Sequence, residues 1–426
     1  MLALEGFFPV LVRVLKADRW AEYSELVAVF FLQAMAMGMW IVPLSGVLNA
    51  HGLAGIRSFA FATTAVAAFI SPLIFGAMAD RHVSPVRVLR WITLASATTI
   101  ALAGWGIAHG WPPLVVLALI QIYAICAAPT GSITTTIVLS RLQDSQREFG
   151  PIRATATFGW MVGCWLVSGL GIDRSAWAPF GGAMAWLALA GVTYLLPSVP
   201  PPPSSGRTTF RERMGWDAIG LLKNHDHRVV FITVALFSIP LAAFYPITPF
   251  HLQALGFQHV SAWMSAGQIT EIIAMFALAA LFRKYRLKWI FAGGLTFGVI
   301  RFVLCSFDSP AWVLAGITLH GFSFTFFFVT AQIYLNERVE VAWRARAQAL
   351  MWLMSSGVGN LAGYLGSGAW FQHCTMPGGV RWTLFWIGVG GAVALVMAYF
   401  LIAYHGKSPG LHRAPQPGEV DQPGTT

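Results

Sequence analysis

The chain has 426 residues, 57% of them apolar and only 10% charged, with a mean hydropathy of +0.66 and a formal net charge of +10. About a quarter of the residues in a soluble domain are charged, so this composition excludes an ordinary soluble fold and points to an all-α integral membrane protein. The basic residues are dispersed through short loops, which excludes a nucleic-acid footprint and makes them reporters of orientation instead.

Residues 1–25 read as a cytoplasmic N-terminal segment. Its Leu and Phe residues are broken by Arg13, Lys16, Asp18 and Arg19, which suits an interfacial amphipathic stretch or a loose tail rather than a cleavable signal. Apolar runs then mark twelve candidate spans, at 26–50, 58–79, 88–108, 114–139, 153–171 and 181–197, and at 228–254, 261–282, 289–307, 311–335, 346–371 and 382–403. Each is close to the roughly 20 residues that cross a ~30 Å hydrocarbon core. Between the sixth and seventh, 198–227 carries four consecutive prolines, Ser204, Ser205 and a run of arginines, so it reads as a cytoplasmic linker. The predicted fold is thus twelve transmembrane helices in two six-helix halves, 26–197 and 228–403, followed by a cytoplasmic tail, 404–426, rich in Pro, Gly and charge.

Placing the N-terminus in the cytoplasm puts 23 Lys and Arg on the inner side and three (Arg57, Arg174, Arg381) outside, with Arg301 inside a span. That asymmetry predicts that both termini are cytoplasmic; the expected location is the plasma (bacterial inner) membrane, as a multi-pass protein. In the second span's loop, Gly76, Asp80 and Arg81 resemble the Gly-xxx-Asp-Arg/Lys signature of the major facilitator superfamily. There an acidic residue at a helix end needs a cationic or helix-dipole partner and could latch one conformation; a plain topological charge pair is the alternative.

Glu271 stands out. It is the one carboxylate placed deep in an apolar run, 262–282, where a charge costs about 2.5 to 3.5 kcal/mol even on lenient insertion scales. Gln268, three residues earlier, shares its helix face. Arg153, Thr157, Trp160 and Cys164 follow helical spacing along one face of the fifth span, and His320, Phe324, Phe327 and Ala331 do the same on the tenth. Counted from the outer ends, Glu271 and His320 both lie near ~15 Å depth, so they could face one cavity. The bland readings are an ion pair of Glu271 with Arg301, snorkelling of Arg301 towards Asp308, a packing histidine at 320, and a topology charge at Arg153. Gln33 and Gln121 read as amides bridging helices. The four cysteines show no CxxC spacing and read as small buried hydrophobes, with a Cys305–Cys374 disulfide as the alternative.

Several segments together resemble the nucleoside:proton symporter family within that superfamily, from about residue 29 to 403. They are Phe31-Leu-Gln33, Ala79-Asp80-Arg81, Thr136 to Gln143, Phe149-Gly-Pro151-Ile-Arg153 with Thr157, Gln268-Ile-Thr-Glu271, Ile300-Arg301-Phe302, Leu319-His320-Gly321 and Arg344 to Gln348. The resemblance implies that Arg153, Thr157, Gln268 and Glu271 bind substrate, with aromatics such as Trp160 and Phe324 around the base. A carboxylate and an amide can accept from ribose hydroxyls, and a base can stack on aromatic faces at roughly 1 to 3 kcal/mol. Proton coupling would fall on Glu271 or His320. The sequence departs from the family's pattern at Thr325, where relatives carry an acid, and around 238–249, where amides are replaced.

The expected function is import of a nucleoside with a proton by alternating access, by a monomer in the lipid bilayer. An uncoupled facilitator and a sugar or polyol permease are the alternatives. No HExxH, GxSxG or GxxxxGK[ST] motif points to an enzyme or to ATP coupling, and no cofactor or metal is expected.

Overall fold

The computed structural model describes residues 17–79, 83–143, 145–197 and 216–406, and these are helical almost throughout. In the first part of the chain the helices are α1 (Ala17–Ile41), α2 (Leu44–Ala50), α3 (Arg57–Ala79), α4 (Pro85–Ala108), α5 (Pro113–Ala127), α6 (Thr130–Leu139), α7 (Ser145–Gly169) and α8 (Trp177–Val192). After a short 3-10 helix, Trp216–Lys223, come α9 (His225–Leu241), α10 (Phe244–Ala254), α11 (Val260–Met264), α12 (Ala266–Lys284) and α13 (Leu287–Cys305). The chain continues through α14 (Pro310–Thr318), α15 (His320–Phe324), α16 (Thr330–Arg338), α17 (Val341–Trp352), α18 (Asn360–Cys374) and α19 (Trp382–Ala403). Before α19, β1 (Thr375–Met376) and β2 (Gly379–Val380) pair as a small antiparallel hairpin. Among the described residues nine helical stretches are long and apolar enough to cross a membrane.

Proline explains much of this punctuation. Pro85, Pro113 and Pro310 open α4, α5 and α14 at a first-turn position, where the missing N–H costs nothing. Pro43, Pro129 and Pro240 stand at or beside the breaks between α1 and α2, α5 and α6, and α9 and α10, so single apolar runs become pairs of helices. The segments 325–329 and 353–359 loosen into π-helical turns, between α15 and α16 and between α17 and α18.

Several boundaries differ from those expected. Helix α1 takes in 17–25, which the sequence assigned to the N-terminal segment; residues 1–16 lie outside the described residues, as do 198–215 of the linker and 407–426 of the tail. Helix α7 starts at Ser145 and runs through Pro151, so Arg153 sits two turns into a helix and not at its mouth. Asp80 and Arg81 lie outside the described residues, while Gly76 is in the last part of α3. All four cysteines are free, and the Cys305–Cys374 bridge is absent.

Buried side chains gather mainly in two clusters, one drawn almost wholly from 23–196 and one from 218–404. Trp40, Tyr123 and Trp186 interlock in the first; in the second the Phe302 and Trp386 rings stack at 5.6 Å. Lipid gives little hydrophobic drive between helices, so such contacts and small residues decide the packing. Gly38 on α1 shows this: a Cβ there would lie 2.6 Å from the Trp160 carbonyl on α7. The amides read as bridges act as bridges, with Gln33 Nε2 donating to Thr130 Oγ1 at 3.2 Å and Gln121 Nε2 donating to the Thr63 carbonyl at 3.2 Å. Leu114, Leu395 and Ile402 present their side chains outward, as lipid-facing residues would.

Candidate functional site

The two clusters meet at Trp160 of α7 and Tyr245 of α10, each of which packs against both. Their rings lie 6.0 Å apart and tilted. Around this junction the fold collects most of the residues singled out from the sequence. Tyr245 was not among them. It follows the proline break at Pro240 by five residues, and only a structure shows that the break turns it onto the face towards α12.

Gln268 of α12 is 5% exposed, and its Nε2 donates to the Tyr245 hydroxyl at 3.4 Å. Its Oε1 is buried without a partner among the described residues, and so is the Trp160 indole Nε1. Buried polar groups are normally paired, so two orphans of complementary type, an acceptor and a donor, mark a place where another molecule can complete the bonding. Glu271, one turn on, is half-buried and makes no hydrogen bond among the described residues. Its electrostatic partner is Arg153 of α7, an exposed residue. The Arg153 guanidinium also lies 5.6 Å from the Phe30 ring centre. Thr157 is half-buried one turn along α7 from Arg153.

The approach of α15 to α12 depends on glycine. A Cβ on Gly321 would run into the backbone of Glu271, and one on Gly267 would lie 3.0 Å from His320 Cβ. The Thr270 hydroxyl also donates to the Thr318 carbonyl, tying α12 to the end of α14 just before α15. His320 and Glu271 therefore lie on adjoining turns of α15 and α12. The His320 ring stacks on Phe244 at 4.5 Å and lies 6.3 Å from Tyr245, while Phe324 continues the column at 6.0 Å.

Arg301 departs from both sequence readings. It is 1% exposed, and its Nη1 lies 2.5 Å from His320 Nδ1, with its guanidinium over the Phe244 and Phe302 rings at 4.2 and 4.7 Å. It neither pairs with Glu271 nor reaches Asp308, whose carboxylate instead accepts from His251 Nε2 at 2.8 Å. A guanidinium only donates, so His320 Nδ1 is the unprotonated ring nitrogen and the imidazole is neutral, with its proton on Nε2. Thr325 lies in the π-helical turn, fully buried, its hydroxyl without a partner among the described residues. Among the described residues no group of His, Cys, Asp and Glu could hold a metal ion. An open pocket of about 280 Å³ lies elsewhere, between the 3-10 helix and the α16–α17 turn, lined by Gly220, His227, Arg338 and Trp343, and touches none of the residues above.

Comparison with known proteins settles the relationship. The profile of the nucleoside H+ symporter family matches residues 23–408. The chain belongs to the nucleoside H+ symporter family. Within reach of it, YegT of Escherichia coli strain K12 is 30% identical over 403 residues, covering 89% of this chain and 93% of that protein. The nucleoside permease NupG of the same organism is 26% identical over 397 residues, covering 87% and 93%. A crystal structure of a mutant of the nucleoside transporter NupG superposes with a TM-score of 0.82 at 25% identity, over 89% of this chain and 99% of that one. The POT family transporter PepTSo, at 13% identity and a TM-score of 0.70, shares the fold alone. Family membership makes this a membrane transporter and gives the Tyr245, Gln268 and Glu271 junction a context.

Proposed function

We propose that this protein imports nucleosides across the bacterial inner membrane together with protons, by alternating access of one site at the junction of its two helix clusters. It does so as a monomer, in a fold of twelve spans arranged as halves 26–197 and 228–403, joined by the cytoplasmic linker 198–227, with both termini in the cytoplasm. The two clusters, divided close to that linker, support the halves, and the inner-side excess of Lys and Arg supports the orientation. Within a known family of nucleoside proton symporters, the observation that carries the mechanism is Glu271. It is a carboxyl group without a hydrogen-bond partner among the described residues, at mid-span, facing the Arg153 guanidinium across the junction.

Each residue takes a role that its surroundings support. Trp160 and Phe324 stack on or flank the base; Gln268 and Tyr245 hydrogen-bond the substrate; Thr157 lines the same wall. Glu271 takes the proton. When ionised it attracts Arg153 across the junction, and when protonated that attraction is lost, so proton uptake and the approach of the halves are linked through one residue. His320 is held by Arg301 as a neutral acceptor and shapes the wall beside it; a proton on Nδ1 would set two cationic groups against each other. On the sequence signature alone, Gly76, Asp80 and Arg81 serve as the inner latch.

A second reading, an uncoupled nucleoside facilitator, draws on Thr325, which cannot titrate. The deciding experiment is uptake of labelled uridine and adenosine into vesicles with and without an inward proton gradient, in wild type and Glu271→Gln. Accumulation that follows the gradient and is lost in the variant, while equilibrium exchange survives, is expected. Equilibration indifferent to the gradient in wild type would establish the facilitator, and no nucleoside movement would overturn the substrate.

A further inference from the structure

At one end of the molecule a second junction ties the two helix groups together, and none of the site residues takes part in it. Its centre is Asp173, in the turn between α7 and α8, a carboxylate almost wholly buried. Its Oδ1 accepts from the Ser168 hydroxyl at 3.0 Å and from the backbone N–H of Ser261 at 2.6 Å. The Ser168 hydroxyl in turn accepts from the backbone N–H of Ala262 at 2.9 Å, and the Ser168 carbonyl accepts from His259 Nδ1 at 2.7 Å. One turn earlier on α7, Trp165 Nε1 donates to Ser265 Oγ at 3.0 Å. Four residues of α11 and its flanks, His259, Ser261, Ala262 and Ser265, are thus held by three residues of the first group.

The first N–H groups of any helix lack partners within it and are usually met by a local cap. At α11 the residue in that position, His259, makes no side-chain cap bond and sits in the left-handed region at φ 55. Its ring is turned instead onto the Ser168 carbonyl. The capping of α11 has been handed to a carboxylate and a hydroxyl from the opposite helix group, and a negative charge at a helix start is favoured by the helix dipole. Such an arrangement holds only while α7 and α11 stay together. Nearby, Ser45 Oγ of α2 donates to the Pro246 carbonyl of α10 at 2.6 Å, another buried bond between the groups at the same end. If this end opens, the N–H groups of Ser261 and Ala262 pass to water, so the bonds can be exchanged for solvent rather than left unmade.

We propose that Asp173 and Ser168 are the latch of the outer gate: they cap α11 in trans when the outer end is shut, and their release is a step of every transport cycle. This rests on the alternating-access reading and on the orientation given above. His259 donates to a carbonyl whether its ring is neutral or charged, so the latch is not set by histidine protonation.

Hydrogen–deuterium exchange on the full-length protein, with apparent KM for external nucleoside, tests the proposal in Asp173→Ala, Asp173→Asn and Ser168→Ala. Freeing the latch raises the fraction of molecules open to the outside, and apparent affinity rises with that fraction. The expected result is faster exchange in 259–266 and, in concert, in 44–50 and 244–254, with an external KM several-fold lower, Ser168→Ala following in the same direction by less. Faster exchange confined to 259–266, or an unchanged KM, would make the contact a static cap and overturn the latch. If Asp173→Ala does not fold, the Asn and Ser168 variants carry the same two readouts. The exchange pattern needs no substrate, so a failure of nucleoside transport would sink the functional reading while the latch is still decided.

Discussion

At the scale of single residues, the chemistry concentrates where polar groups in an apolar span lack the partners they would ordinarily find. Tyr245 is the informative one. Its hydroxyl is the acceptor for Gln268 Nε2, and Gln268 Oε1 already has no partner among the described residues. Tyr245→Phe keeps the ring packing against Trp160 and Phe244 but leaves a second polar atom of Gln268 unmet, at a cost of about 1–3 kcal/mol. If that amide orients substrate, apparent KM rises about tenfold, equivalent to ~1.4 kcal/mol, while the response to a proton gradient is kept. Competition by unlabelled nucleosides would read this, and a KM within twofold of wild type would remove Tyr245 from the site. Much of this site was legible in sequence, because an acid or amide inside an apolar run is costly enough to announce itself: Gln268, Glu271 and Arg301 were found that way. Tyr245 was not, since a tyrosine in an apolar run carries no such penalty. The partner of Arg301 was misread for a related reason. Sequence offers carboxylates as partners, whereas the fold gives this cation an imidazole nitrogen and two aromatic faces.

At the scale of elements, the approach of α15 to α12 positions Glu271, and Gly321 permits it. A methyl group at 321 would collide with the Glu271 backbone itself, not with a side chain that could turn away. Gly321→Ala must therefore push α15 from α12, moving His320 and Glu271 apart. Uptake is expected to fall by at least tenfold with the protein still folded and inserted; Gly293→Ala, a position with open space around the added carbon, serves as the control and should transport normally. Normal uptake by Gly321→Ala would show that the two helices have slack. The helical runs themselves were plain in the sequence because apolar length is a strong signal. Their interruptions were less so: prolines at 43, 129 and 240 mark three of the breaks, but nothing in the 325–329 or 353–359 segments signals a π-helical turn, which arises from packing against neighbours. The extension of α7 back to Ser145 was hidden by its charged residues, and it places Arg153 two turns inside the helix rather than at its first residue.

For the whole molecule, coupling is a thermodynamic statement that no single side chain can make. A neutral nucleoside carried with one proton must accumulate until its gradient balances the proton's. One pH unit is worth about 1.4 kcal/mol, so a gradient of that size with no membrane potential should hold the solute about tenfold higher on the alkaline side. The complex would carry one positive charge, so adding 100 mV, negative inside, contributes about 2.3 kcal/mol and should multiply that ratio about fifty-fold. Two protons per cycle would square both factors, and a facilitator would give a ratio of one under every condition. Measuring steady-state uridine ratios in vesicles across imposed pH and potassium-diffusion gradients reads the stoichiometry directly from the slope. The geometry favours one proton: among the described residues Glu271 is the one carboxyl at the junction, Thr325 offers no second, and His320 is already committed to Arg301. A ratio near ten per pH unit is therefore the expected result. A ratio near one hundred would require a second titrating group at the junction, and its identification would then begin with His320.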